Sequence, residues 1–207
     1  MVASSSSGIP SSQFITHCKK APGRILVAHP FNPPHLIPLV EIVPHPGTDQ
    51  VSITGAIDFY KSLGKRPIQL HKEVPGFVAN RLQAAINNEA YSLISRGIVS
   101  AKDLDAAVSS GPGVRWALNG PIAVNTLGGG GGADGFAQRL ERLGPAIRGW
   151  ERDILKHRFA WDEVEVAKLR DEVNRSYSGA DWEQIVRERD SILLDLLASK
   201  AKAANLD

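Results

Sequence analysis

The chain has 207 residues, a formal net charge of +2 and one cysteine, Cys18. That length suits one domain or one and a half with a real core, and a near-neutral chain without a long basic run is a poor partner for nucleic acid. A lone cysteine closes no internal disulfide, and neither an apolar run of membrane-spanning length nor a leader-like N-terminus is visible, so a soluble, cytoplasmic protein with no membrane partner is expected.

In chain order, "ASSSSGIPSS" comes first. By composition it reads as a flexible tail, and the alternative is a loop leaving a strand with one hydroxyl turned toward a substrate. "RILVAHPF" and "LIPLVEIVPH" follow as strands, short and rich in Ile, Leu and Val between Pro and Gly. Beyond residue 47 helix dominates. "TDQVSITGAIDFYKSLG" has a Thr48 cap and a Gly64 stop, and "PIQLHKE" is a brief extended piece. Residues 76–97 form the strongest helical segment of the first half, with Phe77, Leu82, Ala85, Ile86, Ala90, Leu93 and Ile94 on one face and Gly97 at its end. Ser100 and Asp103 resemble a capping box for the next helix. Two helices are predicted within 133–158 and two more to the C-terminus. The predicted fold is mainly α, with a short β segment in residues 1–47 and a helical domain in 48–207.

Five glycines in "LGGGGGADGF" mark a mobile or sharply bent connection. A phosphate loop is the alternative, but the run follows no strand and no Lys-Ser or Lys-Thr comes after it.

Two polar residues interrupt the strand-like run: His29 and Glu41. If "NPPHLIP" folds back, adjacent strands place them side by side. Alone, His29 reads as a satisfied structural residue, Glu41 as a strand-edge residue and Asn80 as a polar position in a first helical turn. His17, His35, His45, His71 and His157 have no further support, and no histidine pair at helical spacing has a third ligand, so no metal site is expected.

Three segments read together change the balance: "HPFNPPHLIPLVEIVPHPGT", "KEVPGFVANRLQAAINNEA" and "GIVSAKDLDAAVSSGPGVRWALNGP". In order and spacing they resemble the 3-hydroxyacyl-CoA dehydrogenase family, nearest to its lambda-crystallin and L-gulonate 3-dehydrogenase branch, over about residues 3–125. The resemblance implies His29 as the catalytic base, Glu41 as its carboxylate partner, Asn80 as a substrate contact, and Ser7 (or Ser6) as the hydroxyl of the strand-end loop. Asn32, within HPFNP, and Arg115, before Trp116, are further substrate-binding candidates. Arg115 suits a carboxylate or phosphate of a substrate, or equally an ordinary helix salt bridge. The chemistry fits: oxidation of a secondary alcohol needs a base for the hydroxyl proton, histidine titrates near neutrality, and a buried carboxylate fixes its tautomer.

Family members open with a Rossmann-type domain whose first strand leads into GxGxxG, and no strand-like run of this chain leads into one. The expectation from sequence is therefore a protein lacking the NAD-binding portion, with a remnant of its sheet before the helical domain and no cofactor of its own unless that portion is supplied elsewhere. The expected function is cofactor-independent acid/base catalysis on a carbonyl-containing small molecule, as an isomerase, lyase or cyclase, through a His29–Glu41 dyad. The alternatives are an NAD-dependent 3-hydroxyacyl-CoA or L-gulonate 3-dehydrogenase, and a non-catalytic dimerisation or binding module. Unpaired strand edges also predict a homodimer, with segments exchanged at the glycine hinge.

Overall fold

A computed structural model of the protein describes residues 1–203, 205 and 206. Three strands open the chain: β1 (Val2–Ser4), β2 (Ile25–Pro30) and β3 (Leu39–Val43). Helix α1 (Gln50–Ser62) and strand β4 (Arg66–Gln69) follow. The strands form one mixed sheet in the order β1-β2-β3-β4, in which β1 runs parallel to β2, β2 antiparallel to β3, and β3 parallel to β4.

The sheet core follows from strand alternation. Leu26 and Ala28 of β2, with Val40 and Ile42 of β3, face one way and bury against Ile53 and Ala56 of α1. Val27 and Val43 face the other way and pack with Leu70 and Phe77. His29 and Glu41 continue this second face, so two layers cover the centre of the sheet and the dyad lies at the edge of one of them. The serine run is the connection leaving β1, not a tail. Thr48 does not cap α1. Its hydroxyl accepts from the His45 N–H and donates to the Ile25 carbonyl, and Asp49 stands at the cap position.

The helices after β4 are α2 (Ala79–Ser95), α3 (Ala101–Ser110), α4 (Pro112–Trp116), α5 (Pro121–Gly128), α6 (Gly135–Lys156), α7 (Glu163–Ser176) and α8 (Trp182–Lys200). Two compact units result, Met1–Ala85 and Ile86–Asp207, and the division falls within α2. The expected boundary after residue 47 lies inside the first unit, because α1 and β4 complete the sheet. Among the described residues the sheet has four strands: the two expected, β4 at the extended piece, and β1, which was not expected. In the second unit one helix, α6, replaces the two predicted in 133–158 and runs through Pro145.

Phe77 departs from its predicted place on a helix face. Gly76 and Phe77 both have positive φ (76° and 52°), which turns the chain before α2 begins and drives the Phe77 ring, fully buried, under the sheet. The glycine run is a sharp turn, with positive φ at Gly130, Gly131 and Gly132. It also lets α5 and α6 approach closely, since a Cβ on Gly129 would stand 1.8 Å from the Gly135 carbonyl oxygen.

Candidate active site

The site grows from one cross-strand pair. In the β2–β3 register His29 lies directly opposite Glu41, so twelve residues of sequence separation close to a single ladder step. Nδ1 of His29 meets Oε2 of Glu41 at 2.9 Å. Glu41 is fully buried and His29 is 5% exposed.

The second carboxylate oxygen explains how a buried acid is tolerated. Oε1 accepts the backbone N–H groups of Val78 (2.9 Å) and Ala79 (3.0 Å), at the N-terminus of α2. Those N–H groups have no partner within their own helix, and the helix dipole adds positive potential where the carboxylate sits. With Oε1 engaged by two donors, Oε2 is the acceptor offered to His29, so Nδ1 carries a proton. Nε2 has no hydrogen bond among the described residues. Among the described residues the only sealed polar side-chain atom without a partner is Arg139 Nε, so Nε2 of His29 is reached from outside. Phe31 and Phe77 wall the ring, with centroids 6.0 and 5.6 Å from that of His29.

His45 shows what a structural histidine looks like in the same unit. Its Nδ1 accepts from the Gly47 N–H and its Nε2 meets the Pro22 carbonyl at 3.1 Å, so both nitrogens are consumed. His29 keeps one free.

The loop leaving β1 reaches the same end of the sheet. Ser4, the last residue of β1, is level with Val27 in the parallel β1–β2 pairing, two residues before His29. Ser6 is occupied locally, donating to the Ile9 carbonyl and accepting from the Ile9 N–H. Ser7 is exposed, with no partner for its hydroxyl among the described residues, and its carbonyl accepts from Asn80 Nδ2. Asn80 therefore spends one amide hydrogen on the loop and keeps its other hydrogen and Oδ1. Asn32 is exposed in the turn after β2, three residues past His29. Lys65 holds that turn by donating to the carbonyls of Pro34 and Ile37.

One unit thus contains His29, Glu41, Ser6, Ser7, Asn32 and Asn80. Arg115 lies on α4 in the second unit, exposed and without an ion pair among the described residues, lining a small cleft with Leu118, Val124 and Leu127. The helix N–H groups of Val78 and Ala79 were not foreseen; only "PGF" hinted at a turn there.

Comparison with known proteins identifies the class. Residues 1–74 match the model of the 3-hydroxyacyl-CoA dehydrogenase NAD binding domain, and residues 76–170 match that of the 3-hydroxyacyl-CoA dehydrogenase C-terminal domain. The chain belongs to the 3-hydroxyacyl-CoA dehydrogenase family. A 3-hydroxyacyl-CoA dehydrogenase of Gibberella moniliformis is 68% identical over 206 residues, spanning 100% of this chain and 64% of that protein. An L-carnitine dehydrogenase of Streptomyces griseus subsp. griseus is 38% identical, over 98% of this chain and 59% of that one. Among solved structures, an NAD+ dependent 5-formyl-3-hydroxy-2-methylpyridine 4-carboxylic acid 5-dehydrogenase is similar with a TM-score of 0.71 at 28% identity, over 98% of this chain and 64% of that one. The chain therefore spans just under two thirds of these relatives.

These findings overturn three expectations. The NAD binding domain model covers residues 1–74, so the view of a chain lacking that portion does not stand. A cofactor-independent isomerase, lyase or cyclase is not supported, and NAD is the cofactor to expect. The want of a strand leading into GxGxxG misled because that fingerprint belongs to one strand-to-helix turn, whereas the likeness is spread over the whole sheet unit.

Which part of such a cofactor the residues present could meet can be judged from the donors. The strand-to-helix turn between β3 and α1 spends its N–H groups internally: His45 on Thr48 Oγ1, Gly47 on His45 Nδ1, Thr48 on the His45 carbonyl and Asp49 on the Gly23 carbonyl. The Asp49 carboxylate fills the space beside Gly23. That turn is no cradle for a pyrophosphate. What fits is the reacting end, where strand-end side chains offer a proton acceptor and hydroxyl and amide donors.

Proposed function

We propose that the chain carries the proton-transfer site of an NAD-dependent dehydrogenase acting on the secondary alcohol of a small 3-hydroxy acid or its thioester. The observation that carries this reading is the buried His29–Glu41 pair, with Nδ1 spent on the carboxylate and Nε2 open, in a sheet unit of NAD-binding type. NAD, when bound, supplies the acceptor for the hydride leaving the carbinol carbon.

The chain's own residues handle the proton. His29 Nε2 takes it from the substrate hydroxyl as the carbonyl forms, and Glu41 stabilises the resulting imidazolium while holding the ring in one orientation. In the reverse direction the same nitrogen returns it. The Ser7 hydroxyl and the remaining amide hydrogen of Asn80 are donors for the reacting oxygen, whose charge grows as the proton leaves. Asn32 borders the substrate at the mouth of the turn.

The test is NADH formation with 3-hydroxybutyrate, 3-hydroxybutyryl-CoA, L-carnitine and L-gulonate, repeated with His29→Ala. Turnover of one of these is expected, falling by about 10²–10⁴-fold in the variant. Failure of all four, or a variant of undiminished rate, would remove the proposal.

A further inference from the structure

The loop bearing Ser7 is held at more than one point, and its outermost anchor is a carboxylate on the other side of the tie. Glu73 lies in the segment between β4 and α2. Its Oε1 accepts both the Ser11 hydroxyl at 3.0 Å and the Ser12 backbone N–H at 3.1 Å. Ser11 is fully buried, so its hydroxyl has no water to fall back on. Two further bonds run between the same two segments. The Gly76 N–H donates to the Gly8 carbonyl at 2.9 Å, and Asn80 donates to the Ser7 carbonyl. The contacts proceed in antiparallel order, residues 11 and 12 to 73, 8 to 76, and 7 to 80. The far end of this clamp is itself fixed, because Val78 and Ala79 donate to Glu41.

We infer that Glu73 is a positioning residue: it anchors residues 7–12 so that the Ser7 hydroxyl is presented at the end of β2 where His29 stands. This rests on the function proposed above. Glu73 acts here as a double acceptor and its charge is not required, because both partners are neutral donors. The reach of its side chain is what counts. A bridge that sets the position of one hydroxyl acts on the reaction only through that hydroxyl, so loss of Glu73 and loss of Ser7 must overlap.

Three substitutions separate reach from charge: Glu73→Gln keeps the acceptor oxygen, Glu73→Asp keeps the charge but shortens the arm by one methylene, and Glu73→Ala removes both. With a substrate turned over by the wild type, Glu73→Gln should rescue kcat to within about twofold. Glu73→Asp and Glu73→Ala should lower kcat by about 10- to 100-fold with KM much less changed, the cost of a displaced group. Adding Ser7→Ala to Glu73→Ala should cost no more than Ser7→Ala alone. A fully active Glu73→Asp or Glu73→Ala, or multiplicative effects with Ser7→Ala, would overturn the inference.

Amide hydrogen exchange gives a readout independent of turnover. Ser12 and Gly76 should lose protection in Glu73→Asp and keep it in Glu73→Gln, and unchanged protection in Glu73→Asp would equally overturn the inference. If the wild type turns over no substrate, the proposed reaction fails while this exchange comparison still decides the anchor. If Glu73→Ala does not fold, the Asp and Gln pair decides both arms.

Discussion

Replacing Glu41 by glutamine is an isosteric change whose effect on the proton site can be worked out from three hydrogen bonds. Val78 and Ala79 both aim N–H groups at Oε1, and both need an acceptor there. An amide placed with its NH2 toward them would set donors against donors and leave two N–H groups unmet, at about 1–3 kcal/mol each. The carbonyl of the new side-chain amide must therefore take the helix side, and the NH2 must face His29. That group donates and cannot accept, so His29 Nδ1 has to give up its proton and become the acceptor. In the neutral ring the proton moves to Nε2, the nitrogen that should receive the substrate's proton. The base is lost with almost no change of shape. A wrong tautomer costs about 10⁴-fold in the serine protease example of this logic, and general-base loss typically costs about 10²–10⁴-fold, so kcat should fall about 10³-fold or more. Steady-state NADH formation measures that fall, and ¹⁵N NMR of the imidazole reports the tautomer directly. The fold should survive, because the buried charge removed had a desolvation cost that offset part of its hydrogen bonding. Glu41→Ala, by contrast, strips His29 and the helix N-terminus together and should cost about 3–5 kcal/mol in denaturant unfolding. A Glu41→Gln variant turning over at near wild-type rate, or keeping Nδ1 protonated, would refute the reasoning.

Three other outcomes are expected. Gly129→Ala puts a Cβ onto the Gly135 carbonyl oxygen and must push α5 from α6, so unfolding of the protein should be easier by about 1–3 kcal/mol in urea titration. Tyr177 donates to the Asp105 carboxylate, and that bond, then burial, then the carboxylate's charge hold its phenol above the ordinary tyrosine value of 10.0. A raised folded-state value means that the contribution is complete below the unfolded value and is lost as pH rises through the folded one. Wild type should thus lose more stability than Tyr177→Phe between about pH 8 and pH 11, and equal losses would contradict the bond. Finally, Leu140, Ile147, Trp150 and Ile154 form an exposed apolar stripe on α6. We propose that a second copy of the chain covers it, so sedimentation should show a dimer that Trp150→Glu converts to monomer.

How much of this was readable depends on whether a residue's role is set by its neighbours in sequence or by its neighbours across the sheet. The hairpin was legible because β2 and β3 are apolar runs with one polar interruption each, and a fold at "NPPHLIP" has few ways to pair them. The extent of the sheet unit was not. β4 is "RPIQ", mostly exposed, and carries a proline, so its sequence reads as a brief extended piece and nothing local ties it to the sheet; its pairing comes from β3. Phe77 shows the opposite error. It matches a helical period by coincidence of spacing, yet two positive φ values place it before the helix, where it packs with Val27, Val43 and Leu70. The cofactor expectation failed for a related reason, since one absent loop motif was weighed above a dyad whose geometry makes sense only with something else in the site. His29 Nε2 has no partner among the described residues, while the backbone of α2 and one carboxylate are committed to keeping it that way. On the function proposed above, a histidine so held meets an incoming hydroxyl, and removing that hydroxyl's proton is the half of an alcohol oxidation that a hydride acceptor cannot perform.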